Sequence, residues 1–156
     1  MVDLIADIIG AQHVKITVKN NSTIAKRVAE KLKRKRDVFG RELLFEITEI
    51  RTRTRRGIEV DGGTFADYTP AYAKRKSSPN SRGQSRQISP PDLTFTGQML
   101  ANLMLRLEDK AERLTGIIFF GDAREKLKAK GNNQKRNFFG IEEKRKEALK
   151  QRVNEA

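Results

Sequence analysis

Phe39, Leu43, Ile47, Ile50 and Thr54 recur every three or four positions along a stretch that is otherwise charged. That is the period of a helix with one buried stripe. Upstream, Ile24, Val28 and Leu32 repeat at i+4 on a basic background, so the helical region begins near Ile24, with a break or kink expected between Asp37 and Gly40. It stops after Arg51-Thr52-Arg53-Thr54-Arg55-Arg56, where cations complement the negative end of the helix dipole and Gly57 can take a left-handed cap. A helix with a single apolar stripe needs a second layer to lie on.

That layer is visible as two-residue alternation. Val14, Ile16 and Val18 alternate with His13, Lys15, Thr17 and Lys19, a strand at residues 13 to 19, and Asn20-Asn21-Ser22 supplies turn and cap residues. From Gly97, Met99 and Leu100 lead as a short helical turn into Ala101, Leu103, Leu105 and Leu107. Leu114 to Phe120 is the returning strand of a hairpin across Glu108 to Arg113. The expected sheet therefore uses residues 13 to 19, 102 to 108 and 114 to 120. Leu4, Ile5, Ile8 and Ile9 have helical spacing and suggest a short docking helix ending at Gly10. Asp122 can cap a helix through Lys130, ended by Gly131, and Ile141 to Val153 reads as a charged terminal helix. The fold class is α+β: a long basic N-terminal helical region packed on a small, mainly antiparallel sheet, with a C-terminal helix.

At 156 residues the chain suits one domain, taken as 1–156. Between Gly57 and Pro91 nothing is periodic for long, and Ser77 to Pro90 is rich in Ser, Arg, Gln, Gly and Pro. A mobile basic loop or arm is expected at 74–91. Residues 51 to 90 hold nine basic side chains against three acidic ones.

The absence of cysteine and the single histidine exclude disulfides, thiolate metal sites and Cys-His nucleophiles. His13 falls on the polar side of its strand without a partner motif. Glu46 with Glu49, and Glu142 with Glu143, read as solvated helix faces with i+4 cations rather than as a catalytic pair held across a pocket. No phosphate-cradling or nucleophile-elbow motif occurs. Asp61-Gly62-Gly63 is a tight turn. The expectation is a protein that is not an enzyme, with no catalytic, cofactor-binding or metal-binding residues. No segment has the length of a membrane span, and the first ten residues lack a basic leader, so neither a membrane nor a secretory route is expected.

The net charge of +13 attracts polyanions. Its clusters are Lys33 to Arg36, Arg51 to Arg56 and Lys74 to Lys76, and the contact surface is assigned to Arg51, Arg53, Arg55, Arg56, Lys74, Arg75 and Lys76. Phosphate contact through these residues would be sequence-independent and salt-sensitive. Phe65, Tyr68, Pro70 and Tyr72 form an aromatic-Pro segment, and Phe138 and Phe139 a second ring pair. Aromatics accompanied by arginine are common interface anchors, so these six are candidates for a subunit or partner interface.

Three segments together, "DGGTFADYTPAYAKRK", "DLTFTGQML" and "GNNQKRNFFG", resemble the neck and tail-completion proteins of tailed bacteriophages, the phage virion morphogenesis group that includes minor tail protein Z-like chains. The resemblance spans residues 40 to 153. Phe65 and Pro70 match the aromatic-Pro segment; Leu93, Thr96, Gly97 and Leu100 match the element before the strands; Arg136, Phe138, Phe139 and Gly140 match the closing segment. The Tyr-Ala-x-x-His-x-x-Gly-like stretch of the family is here Asp122 to Gly131 without histidine, and the N-terminal strand and basic helix lie outside the match. The resemblance implies a structural virion protein at the head-tail junction, assembled in the host cytoplasm as a closed ring of about six copies. Its implied partners are copies of itself, other neck, connector and tail proteins, and DNA in the channel. The alternative is a basic nucleic-acid-binding protein acting through non-specific phosphate contacts.

Overall fold

The computed structural model describes residues 2–8, 13–20, 25–79, 86–94, 97–110 and 113–156. Four antiparallel strands, β1 (Val2–Ile8), β2 (His13–Asn20), β3 (Leu103–Lys110) and β4 (Arg113–Phe120), form one sheet in the order β1-β2-β4-β3. Two hairpins from opposite parts of the chain are thus joined edge to edge through β2 and β4, from His13 opposite Phe119 to Lys19 opposite Arg113. The α+β class holds, with the three expected strands within two residues of their anticipated ends.

The fourth strand replaces the docking helix expected at Leu4 to Ile9. Seven residue pairs, from Val2 opposite Asn20 to Ile8 opposite Val14, tie β1 to β2. A free helix of this length is marginal because its nucleation cost is spread over few bonds, whereas an adjacent strand supplies a backbone partner at once. Val2, Leu4, Ala6 and Ile8 also alternate with Asp3 and Asp7, a two-residue period embedded in the helical one. Ile9 and Gly10 lie outside the described residues.

Helix α1 runs from Ala25 to Arg55 without interruption, 31 residues in all. The expected break at Asp37 to Gly40 is absent. Phe39, Leu43, Ile47, Ile50 and Thr54 are all buried, and that continuous stripe outweighs the roughly 1 kcal/mol that glycine costs a helix relative to alanine. Gly40 has a packing role as well: a Cβ there would lie 3.2 Å from Leu107 Cδ1. The same close approach recurs on the sheet at Gly116, where a Cβ would overlap Leu43 Cδ1 and sit 3.0 Å from Phe39 Cε1. Two glycines, one per layer, let the helix settle onto the β3-β4 hairpin.

The remaining helices are α2 (Pro70–Ser77), α3 (Gln98–Ala101), α4 (Ala123–Asn133) and α5 (Glu143–Glu155). Asp122 caps α4 as expected, its Oδ1 accepting the Glu125 amide at 3.0 Å. The helix continues past Gly131, which faces open space, and ends at Asn133, with the Asn132 carbonyl accepting the amides of Lys135 and Arg136. Helix α5 lies along α1 and reinforces it through ion pairs. Arg145 grips buried Glu46 with two bonds of 2.9 and 3.0 Å, and Arg152 reaches Glu42.

α1 closes as its last residues suggest, with Gly57 at φ 71°. The chain then makes the tight turn at Asp61-Gly62-Gly63, where Asp61 Oδ1 accepts the Gly63 amide at 3.1 Å. Helix α2 is new: proline at its first turn pre-sets φ, but its eight residues are too few for a clear period. Of the stretch 74–91, residues 74–77 therefore belong to a helix. Residues 86–91 run back toward the α1 end, with Gln87 donating to the Pro90 carbonyl at 2.8 Å and Pro91 buried. Residues 80–85 lie outside the described residues.

Candidate functional site

The three motif segments of the sequence meet at Tyr68. Its hydroxyl accepts the Leu93 amide at 2.9 Å and Lys76 Nζ at 3.2 Å, and donates to Asp92 Oδ1 at 3.4 Å. Asp92 also pairs with Lys76 and accepts from the Thr94 hydroxyl and amide. Lys76, inside a run that looks like surface in the sequence, is 0% exposed. Leu93 is held at φ 51°, a left-handed conformation that L-residues seldom adopt, and its side chain is buried. The network over-determines that turn.

Arg136, from the closing segment, locks onto the other side. It donates Nε to the Ala66 carbonyl and Nη2 to the Asp67 carbonyl, both at 2.8 Å, with its guanidinium 4.9 Å from the Tyr68 ring centroid. A planar fork that satisfies two adjacent carbonyls and stacks on a ring is a role lysine cannot fill. Sequence reasoning named Arg136 only through the resemblance.

Beside this knot, between α2 and α4, lies a groove of about 1030 Å³. Tyr68, Tyr72, Met99 and Leu127 give it apolar surface, and Arg75 and Lys128 stand among its cations. Leu127 is 69% exposed. Glu125 is buried in the groove wall, where one carboxylate oxygen pairs with Lys128 at 2.6 Å and the other has no partner among the described residues. The groove offers apolar contact area and hydrogen-bonding groups. Among the described residues, no group of three His, Asp or Glu side chains could hold a metal ion, and no helix is long and apolar enough to cross a membrane.

The six expected interface residues divide between this groove and the core. Tyr68 and Tyr72 line the groove, their rings 4.9 Å apart, and Pro70 is exposed at the start of α2. Phe65, Phe138 and Phe139 are buried within the chain itself. Phe120 stacks against both of the latter, 6.5 Å from Phe138 and 5.1 Å from Phe139 between centroids. In this structure those three rings present almost no surface to a neighbour.

The seven expected contact cations divide likewise. Arg55, Arg56, Lys74 and Arg75 are exposed. Arg51 instead donates to the carbonyls of Leu100, Ala101 and Leu103, between 2.9 and 3.2 Å, clamping α1 to α3 and β3. Arg53 donates to the carbonyls of Phe138 and Gly140, each at 3.0 Å. Burial pushes the Arg53 pKa below its ordinary value, and repulsion from nearby Arg145 adds to the effect. For Arg145 the balance is reversed: its hydrogen bonds to Glu46 hold the guanidinium pKa above the usual arginine value. From the sequence, Arg51 and Arg53 are assigned to an outward contact surface because i+2 alternation hides which carbonyls lie opposite. The exposed apolar residues Leu44, Phe45 and Met104 were also missed; Leu44 and Phe45 flank the buried stripe, which is the one signal available.

Against this geometry, the chain matches no protein-family model, no curated protein and no solved structure.

Proposed function

We propose that the protein is a structural subunit of a tailed-phage virion, a neck or tail-completion protein that assembles into a closed ring at the head-tail junction. The observation that carries the reading is the convergence at Tyr68. The three segments that resemble the phage family are far apart in sequence, yet Ala66 and Asp67, Leu93, and Arg136 hydrogen-bond within one knot. They are parts of one structural unit, and that unit forms a wall of the groove.

A ring closes through heterologous contacts, in which one surface of a subunit meets a different surface of the next. The groove is the receiving surface in this reading, and its occupant is a neighbouring copy entering with the exposed Leu44 and Phe45 of α1. Large apolar side chains left half-exposed on a helix are suited to that use.

Native mass measurement of the purified protein, alone and with its particle partners, tests the proposal. A closed multiple of one subunit is expected, and a strict monomer within an intact particle would sink it. Leu127→Glu breaks the groove and Phe45→Glu breaks the inserted surface, so each abolishes the ring. Mixed together, the two variants each retain one working surface and yield a dimer that cannot grow.

A further inference from the structure

The stretch of α1 from Glu30 to Asp37 differs from the rest of the helix. None of its side chains is fully buried, and from Glu30 onward the first buried residue is Phe39, next to half-buried Val38. Leu32, its one large apolar residue, is exposed. A helix segment polar on all sides is not held by an apolar partner. It carries Lys31, Lys33, Arg34, Lys35 and Arg36 against Glu30 and Asp37, and none of the five cations forms an ion pair with a described carboxylate.

The placement of these charges points to the shape of the partner. At roughly 100° per residue the five cations surround the helix, leaving two gaps of roughly 100°, one that holds both acidic residues and one that holds Leu32. A flat acidic surface would touch one side and strand the cations on the other. A groove with phosphates on both walls engages opposite sides together. The major groove of B-DNA is about 12 Å wide, and an α-helix with its side chains is about 10–12 Å across. The corresponding groove of A-form RNA is too narrow to admit a helix.

We infer that the N-terminal half of α1 is a DNA-binding arm that lies in the major groove of a duplex and is held by phosphates on both of its walls. The inference stands apart from the ring reading, because a free subunit binds in the same way.

Fluorescence anisotropy on a labelled 20-base-pair duplex is the test. If the arm neutralises about five phosphates, affinity falls about 500-fold between 50 and 200 mM salt, at about 0.9 per phosphate in the logarithmic slope. Replacing Lys31, Lys33, Arg34, Lys35 and Arg36 together with glutamine should reduce that slope by about four and weaken binding at least tenfold. Five glutamines at Arg55, Arg56, Lys74, Arg124 and Lys144, exposed cations outside the arm, remove the same charge and should leave most of the slope. Circular dichroism checks that both variants fold, and a version of the arm with every lysine changed to arginine should keep full binding. Equal weakening by the two glutamine variants would overturn the inference, since only net charge would then matter. Binding to polyglutamate or duplex RNA as tight as to duplex DNA would overturn it as well.

Discussion

Two cationic regions that look alike in sequence have opposite fates in the fold. Around Tyr68 and the end of α1, the positive charges of Arg51, Arg53, Lys76 and Arg136 point inward, each bonded to backbone carbonyls or a carboxylate. Along Glu30 to Asp37, Lys31, Lys33, Arg34 and Arg36 are exposed and Lys35 is half-buried. Charge density therefore does not identify a contact surface. What separates the regions is the availability of acceptors: chain ends and loops expose carbonyls that arginine can satisfy, whereas the sides of an intact helix have already used theirs.

The sharpest way to break this comparison is to remove a partner from an inward cation. Asp92→Leu leaves the Lys76 ammonium buried with Tyr68 as its remaining described partner, and should cost about 3–5 kcal/mol in denaturant unfolding. Replacing both residues, with Lys76→Met added, should recover much of that loss, because a well-packed apolar pair avoids desolvating charge. A single variant as stable as the parent would show that Lys76 reaches water easily.

Next in size is Glu46→Leu. Glu46 is buried, but Arg145 is 27% exposed and can turn its guanidinium toward solvent or toward Glu49 at 3.5 Å. A loss of about 2 kcal/mol is expected, below the range for a wholly buried pair. Arg51→Ala should cost about 2 kcal/mol by a different route, since the carbonyls of Leu100, Ala101 and Leu103 lose a charged donor. Hydrogen exchange should report faster opening at α3 and the start of β3. Unchanged protection there would mean that packing alone holds the junction.

These residues also mark how far the sequence could be read. The α1 stripe, strands β2 to β4 and the Asp122 cap were legible because burial on one face imposes a period and capping needs a particular side chain. Strand β1 was not, since Leu4 and Ile8 fit two periods and only pairing with β2 decides between them. The break at Gly40 was expected from propensity, which tertiary packing overruled. Of the candidate site, Tyr68 and Tyr72 were found, but Glu125 and Asp92 were not. A lone carboxylate carries no spacing, and its significance lies wholly in what the fold brings beside it. Buried Lys76 was illegible for the same reason.

The smallest expected effect is the most informative about the arm. Lys33→Ala with Arg34→Ala should change stability by less than about 0.5 kcal/mol, as exposed substitutions away from any network do. The sign should lean toward stabilisation at low salt. Lys31 and Lys35 are four residues apart, and Lys31 and Arg34, like Lys33 and Arg36, are three apart, spacings at which like charges on a helix repel by a few tenths of a kcal/mol. Removing two of these charges relieves part of that repulsion, and salt, by screening it, should erase the gain. Urea unfolding at 20 mM and 500 mM salt would separate the cases. A loss of about 1 kcal/mol or more at both would mean that this half of α1 packs on part of its own chain, and the contrast between inward and outward cations would fail at its simplest point. A small gain that vanishes in salt would instead mark charge held in place against its own repulsion, as expected of a segment whose stabilising counter-charge comes from a partner.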